Sequence, residues 1–234
     1  MKTEPKTETA VAVPEASGVP AELAGQWDLK ENMATIEPRL PRINVLHQAQ
    51  MFKFPDRKES SFVGTILDIS RINAWWEQSF DESGGNTPPQ CASMDGITPA
   101  SNCEAPQSTT CATCPQNTFG SDGKRGKACK NMKRVHIMVP GSMFPHRLTL
   151  PPSNLRPVDE YVSMLTGKNL PYQLVQTEFS LAGQKNKDGI QYSEIILRTV
   201  GYINDPAEAR AMREAYKGFR NVMRGVLPES AKEL

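Results

Sequence analysis

The residues best equipped for chemistry in this chain are its five cysteines, four of which are spaced as a set. Cys111-Ala112-Thr113-Cys114 is a C-x2-C knuckle, in which two thiolates can reach one tetrahedral ion while the backbone between them turns. With Cys91 before it and Cys129 after it, the spacing is C-x19-C-x2-C-x14-C. Such a set predicts one structural zinc ion held by four thiolates, with sulfurs about 2.3 Å from the metal. Cys103 competes with Cys91 for one place, and Cys91 is preferred because Cys103 lies in the loose segment SNCEAPQS. A catalytic zinc keeps an open position and often uses histidine, and no histidine lies in this loop. His136 could replace one cysteine, although its apolar surroundings read first as those of a hydrogen-bonded strand histidine. Cys111 and Cys114 open no helix after a strand, which argues against a thioredoxin-like redox pair. Unrelated free thiols are the plain alternative.

Around Cys129 the sequence reads KRGKACKNMKR, with Lys124, Arg125, Lys127, Lys130, Lys133 and Arg134 and no acid. Four thiolates on one zinc carry a net negative charge that favours such neighbours. A stapled loop would then hold a cationic finger beside the sheet, suited to a phosphate backbone because binding releases counterions. A merely solvated loop is the alternative. Trp75 and Trp76 are adjacent on an expected strand and so point to opposite faces, one inward and one outward. The outward ring would be a base-stacking platform, unless the insertion covers it. Near the C-terminus, Arg210, Arg213, Lys217, Arg220 and Arg224 form a basic helical stripe beside an apolar one of Met212, Tyr216, Phe219, Met223 and Val226. The apolar stripe is packing, and the basic one is a solvated face or a further nucleic-acid contact.

No glycine-rich phosphate loop, nucleophile elbow, H-E-x-x-H or carboxylate cluster accompanies these residues, so the chain is expected not to be an enzyme.

The elements that must position the cysteines follow from pattern. Residues 1–40 are rich in Thr, Glu, Pro and Ala without an apolar period and read as a disordered tail, with Trp27 and Leu29 as a possible partner-binding segment. Residues 62–69 (FVGTILDI) and 72–80 (INAWWEQSF) read as two strands of a hairpin, with Asp68, Ser70 and Asn73 as turn formers and Gly64 permitting a sharp bend. Residues 82–131 show no period, and a compact domain seldom tolerates so long a loop without a local staple. Short strands follow at 134–139 and 147–150. A helix is expected over 157–167, on Val158, Tyr161, Val162 and Leu165, with Pro157 in its first turn. Longer strands at 172–181 and 192–203 are joined through Asp188-Gly189, and a helix over 206–226 is introduced by Asn204 and Asp205.

This order fits a mainly β fold with α+β content: an OB-like, five-stranded Greek-key barrel. It carries a zinc-stapled insertion at about 82–131, one helix between strands three and four, and a C-terminal helix. A small α+β sheet with one covering helix is the competing arrangement. The expected organisation is tail 1–40, barrel domain 41–205, and C-terminal helix and tail 206–234.

With 234 residues, 38% of them hydrophobic, the chain is long enough for a single core. No apolar run reaches the length of a membrane span and no secretory signal is seen, so a cytoplasmic protein is expected. The net charge of +1 conceals segregation: −3 over 1–40, −4 over 41–123, +6 over 124–134 and +2 over the remainder.

The run CATCPQNTFGSDGKRGKACKNMKR, the segment LTLPPSNLRPVDEYVSML and the strand YSEIILRTVG together resemble a group of bacteriophage single-stranded DNA-binding proteins with a zinc-binding insertion in an OB-like fold. The resemblance spans about residues 60–205. It implies zinc ligands at Cys91, Cys111, Cys114 and Cys129, with Cys103 spare. It further implies coating of single-stranded DNA during phage replication or recombination, with little sequence preference and contacts to replication or recombination proteins. The ending LPESAKEL is only weakly acidic, unlike the acidic tails that recruit enzymes in many proteins of this role. The other readings are a zinc-ribbon adaptor gripping a phage or host polymerase complex, and a nuclease or recombinase accessory.

Overall fold

A computed structural model of the chain describes residues 39–78, 87–185, 189 and 191–225. Trp27, Leu29 and nearly all of the expected tail lie outside them. Among the described residues nine strands form one sheet: β1 (Arg42–Leu46), β2 (Met51–Lys53), β3 (Lys58–Glu59), β4 (Ser61–Trp75), β5 (Cys91–Ser93), β6 (Lys130–Met138), β7 (His146–Leu150), β8 (Val175–Lys185) and β9 (Gln191–Tyr202). Two α-helices of the described residues accompany them, α1 (Leu155–Gly167) and α2 (Pro206–Gly225). The strand order is β3-β2-β1-β7-β6-β4-β8-β9, with β5 added beside β4; only the β1–β7 pair is parallel. The fold is mainly β with a curled, barrel-like mixed sheet.

The sheet curls around β4. Its first residues pair with β8, from Ser61 opposite Ser180 to Thr65 opposite Gln176. From Thr65 onward it pairs with β6, and at its end β5 takes the side that β8 has left. A bulge between Ile66 and Asp68 sharpens the local twist. The expected hairpin over 62–80 is therefore corrected to one continuous 15-residue strand. Of the expected turn formers, Asp68 and Asn73 find distant partners instead of local ones, while the buried Ser70 hydroxyl has no hydrogen-bond partner among the described residues. Asp68 is buried and pairs with Arg224 at 2.6 Å, while Asn73 accepts from Asn131 Nδ2 at 2.7 Å. Gly64 also acts differently from expectation: a Cβ there would stand 2.5 Å from Ile137 Cγ2 and 3.0 Å from the Met138 carbonyl oxygen, so its role is close approach of β4 to β6.

Side chains join the two sides of the curl. Asn154, in a 3-10 turn just after β7, donates from Nδ2 to the Ser193 carbonyl at 3.1 Å and accepts from the Ile195 amide at 2.7 Å. The Ser193 amide donates to His47 Nδ1 at 3.2 Å. Buried backbone groups of β9 are thereby satisfied without a further strand.

The core lies inside the curl. Phe62 stacks on Phe179 at 4.8 Å, and Phe52 and Phe54 meet Phe62 edge-on at 4.9 and 5.1 Å. Ile43, Ile66, Val135, Ile137, Leu148 and Leu150 fill the rest, each such side chain stabilising by about 1.5–3 kcal/mol. Helix α1 covers one end with Val158, Tyr161 and Leu165, as the heptad-like spacing requires. The Tyr161 hydroxyl hydrogen-bonds Thr177 Oγ1 at 2.8 Å. A second, smaller cluster of Ile72, Ala74, Ala92 and Met132 lies where the cysteine-bearing insertion meets the sheet. Among the described residues no helix is long and apolar enough to cross a membrane.

Candidate functional site

Three separate backbone segments carry the cysteines to one place. Cys91 opens β5 opposite Trp75, and Cys129 immediately precedes β6. Cys111 and Cys114 precede a 3-10 turn over Pro115–Asn117. Backbone bonds tie the segments together: the Cys111 amide donates to the Ile97 carbonyl at 2.8 Å, and the Cys129 amide to the Gln116 carbonyl at 2.8 Å. Asn117 Nδ2 adds a bond to the Cys111 carbonyl at 2.7 Å. The result is a cavity of about 10 Å³ lined by Cys91, Cys111, Cys114 and Cys129 together with Asn73, Trp75 and Asn117. All five cysteines are free thiols.

Cys103 does not line that cavity. Its thiol donates to the Ala92 carbonyl at 2.9 Å, and its sulfur accepts from the Ala92 amide at 3.1 Å, so it fastens its loop to β5. Burial, followed by the charges of Cys111, Cys114 and Cys91, pushes the Cys129 thiol up to about 12, against a smaller lowering by Lys127. Cys91 is raised by the same primary cause. Among the described residues no three His, Cys, Asp or Glu side chains are grouped so as to hold a metal ion. The four thiols line one small cavity without being gathered into such a group. His136 lies elsewhere, buried on β6 opposite Asp68, and neither ring nitrogen has a hydrogen-bond partner. The expectation of a hydrogen-bonded strand histidine is corrected to a buried, unpartnered one. Burial and then Arg134, Arg147 and Arg224 depress it to about 3. Asp68, 4.0 Å away, is engaged by Arg224.

The basic run divides into an exposed part and a buried part. Lys124 and Arg125 are exposed. Lys127 is half-buried and donates to Asn117 Oδ1 and Asn131 Oδ1, each at 3.2 Å. Lys130 donates to the Lys127 carbonyl at 3.0 Å. Lys133 is 5% exposed and paired with Asp159, and Arg134 is fully buried. The expected eleven-residue cationic finger is thus corrected to a short exposed tip, because β6 begins at Lys130 and its pairing draws the last two bases into the structure.

Neither tryptophan stands free. Trp75 is half-buried on the cysteine cavity. Trp76 packs on the small cluster and donates from Nε1 to the Thr87 carbonyl at 3.0 Å. The inward and outward alternation fails because β4 ends at Trp75 and the insertion folds over both rings.

Helix α2 presents part of the expected apolar stripe to the sheet: Met223 is fully buried and Phe219 meets Phe144 at 5.6 Å. Val226 lies outside the described residues. Arg224, itself exposed, reaches from the basic stripe to pair with buried Asp68, and Arg210, Arg213, Lys217 and Arg220 are exposed as well.

Phe119 is the residue that the sequence reading missed. It is 81% exposed, beside Lys127, at the tip of the cysteine loop. Its signal was a solitary aromatic in the polar run QNTFGSDGKRG, with no periodic apolar neighbours to carry it into a core. In comparisons with protein-family models, curated proteins and solved structures, the chain matches none.

Proposed function

We propose that the protein binds single-stranded DNA without strong sequence preference, through a rigid cysteine-stapled basic loop beside an OB-like barrel. The observation that carries this reading is the path β7-β6-β4-β8-β9 with α1 between β7 and β8, joined to an insertion that carries the cysteine-lined cavity and, between Cys114 and Cys129, the exposed Lys124 and Arg125. Numbered among themselves in chain order, these strands run third, second, first, fourth, fifth with a helix after the third, an order that supports the reading of an OB-like Greek-key arrangement. The additional β1–β3 unit then occupies the open side of the third strand.

Cys91, Cys111, Cys114 and Cys129 would hold one zinc ion, which on binding would neutralise the thiolates and fix the three segments together. Lys124 and Arg125 would meet phosphates, and Arg210, Arg213, Lys217 and Arg220 would offer a second cationic surface. Lys127 and Lys130 act mainly within the loop. Lys133, Arg134, Trp75 and Trp76 serve its support. The resemblance to phage single-stranded DNA-binding proteins supports the same reading and suggests a setting in phage DNA replication or recombination.

A gel shift with single-stranded and duplex 30-mers tests it, alongside elemental analysis of the purified chain. Preferential, length-dependent retardation of the single strand with near-stoichiometric zinc is expected. No retardation at low salt removes the reading.

A further inference from the structure

Resting on the single-stranded DNA reading, we infer that Phe119 is a base-stacking residue, and that the cysteine loop exists to present its ring rigidly beside Lys124 and Arg125. At 81% exposure, Phe119 is the most exposed large hydrophobic side chain among the described residues. A singly exposed apolar side chain is ordinary on a protein surface; what distinguishes Phe119 is its place at a hydrogen-bonded loop tip beside Lys127, with Lys124 and Arg125 exposed close by in sequence.

The backbone around it is fixed. The Gly120 amide donates to the Gly126 carbonyl at 2.7 Å, closing the tip, and Asp122 Oδ1 accepts from the Lys124 and Gly126 amides at 2.8 and 3.0 Å. Gly120 and Gly123 adopt φ of +88° and +74°, the left-handed conformations these turns require. At the base, Ser121 Oγ donates to the Gln116 carbonyl at 2.9 Å and accepts from the Ala128 amide at 2.9 Å. This ties the tip to the residues next to Cys114 and Cys129.

The ring itself is flanked on one side only. Lys127 Nζ stands 5.0 Å from its centroid while bonded to Asn117 and Asn131, within the range of a cation–π contact. That ammonium orients the ring and leaves the rest of it open. A planar, uncharged aromatic base fits the open face, and the exposed Lys124 and Arg125 five and six positions on supply the charge complement of the attached phosphates. Among macromolecules this combination selects a single strand, since in duplex DNA the base faces are already stacked.

The test uses the full chain, with fluorescence anisotropy of a labelled oligothymidine 20-mer at fixed salt, and the variants Phe119→Ala, Phe119→Leu and Phe119→Trp. Loss of one stacked base predicts that Phe119→Ala binds about 5- to 150-fold more weakly. Phe119→Leu, which keeps apolar bulk but has no π face, should show a similar loss, and Phe119→Trp should bind within a few fold of wild type. Melting temperatures should be unchanged, because the ring packs on little. Wild-type affinity in Phe119→Ala overturns the inference and leaves the single-strand reading standing. Wild-type affinity in Phe119→Leu overturns stacking in favour of generic apolar contact, as a protein partner would make. Absence of binding by the wild-type chain overturns both the inference and the reading beneath it.

Discussion

Replacing Gly64 by alanine tests the geometry on which the curl depends. The added methyl would lie 2.5 Å from Ile137 Cγ2 and 3.0 Å from the Met138 carbonyl oxygen. Ile137 is fully buried and part of the main core, so its methyl has little room to retreat, and the second contact is backbone. Strands β4 and β6 must separate locally, at a cost of about 1–3 kcal/mol typical of overpacking. For a chain of this size that corresponds to a fall in Tm of about 2–12 °C. Gly218, inside α2, is the control, since a Cβ there meets nothing within 4 Å. Gly218→Ala should stabilise the helix by about 0.5–1 kcal/mol through reduced unfolded-state entropy. Calorimetric melts of the two variants and wild type should therefore shift in opposite directions. Equal melting of wild type and Gly64→Ala would refute the close-approach argument.

Further outcomes follow from the same structure. If the four thiols hold zinc as proposed, elemental analysis should find zinc in wild type and in Cys103→Ser but not in Cys129→Ser; the reverse pattern would exchange the two cysteines' roles, and no zinc in wild type would remove the proposed ligand set. Phe62→Ala, which removes the ring shared by Phe52, Phe54 and Phe179, should cost about 3–5 kcal/mol in urea unfolding, and a loss below about 1 kcal/mol would contradict the aromatic core. His136 is held neutral in the fold down to about pH 3 but takes up a proton at about pH 6.5 when unfolded. Its stabilising contribution is complete above pH 6.5 and is lost as pH falls toward 3, by about 1.4 kcal/mol per pH unit. Asp68, Arg134, Arg147 and Arg224 surround it, so His136→Leu should flatten this limb of a pH series of denaturant midpoints; an unchanged limb would assign it to other groups.

What the sequence made legible was what depends on local pattern. The 3.6-residue period of Val158, Tyr161 and Leu165 located α1, and the cysteine spacing selected the four thiols that share a cavity. What it concealed depends on distant partners. Asp68 and Asn73 look like turn formers until Arg224 and Asn131 are placed against them within a continuous strand. Lys133 and Arg134 read as a solvated charge run, yet β6 pairing carries them inside. The short strands β1–β3 and β5 contain too few residues to show a period, and only the edges of β4 and β7 give them a place. Phe119 was invisible to periodicity because it belongs to no element.

The most direct test of the account is the salt dependence of binding to single-stranded oligothymidine by wild type and by the double variant Lys124→Ala/Arg125→Ala. Binding through the exposed tip predicts a linear fall of log K with log salt for wild type, and a slope shallower by about 1.4 for the variant, at about 0.7 for each phosphate contact removed. An unchanged slope, or no wild-type binding at low salt, would contradict it.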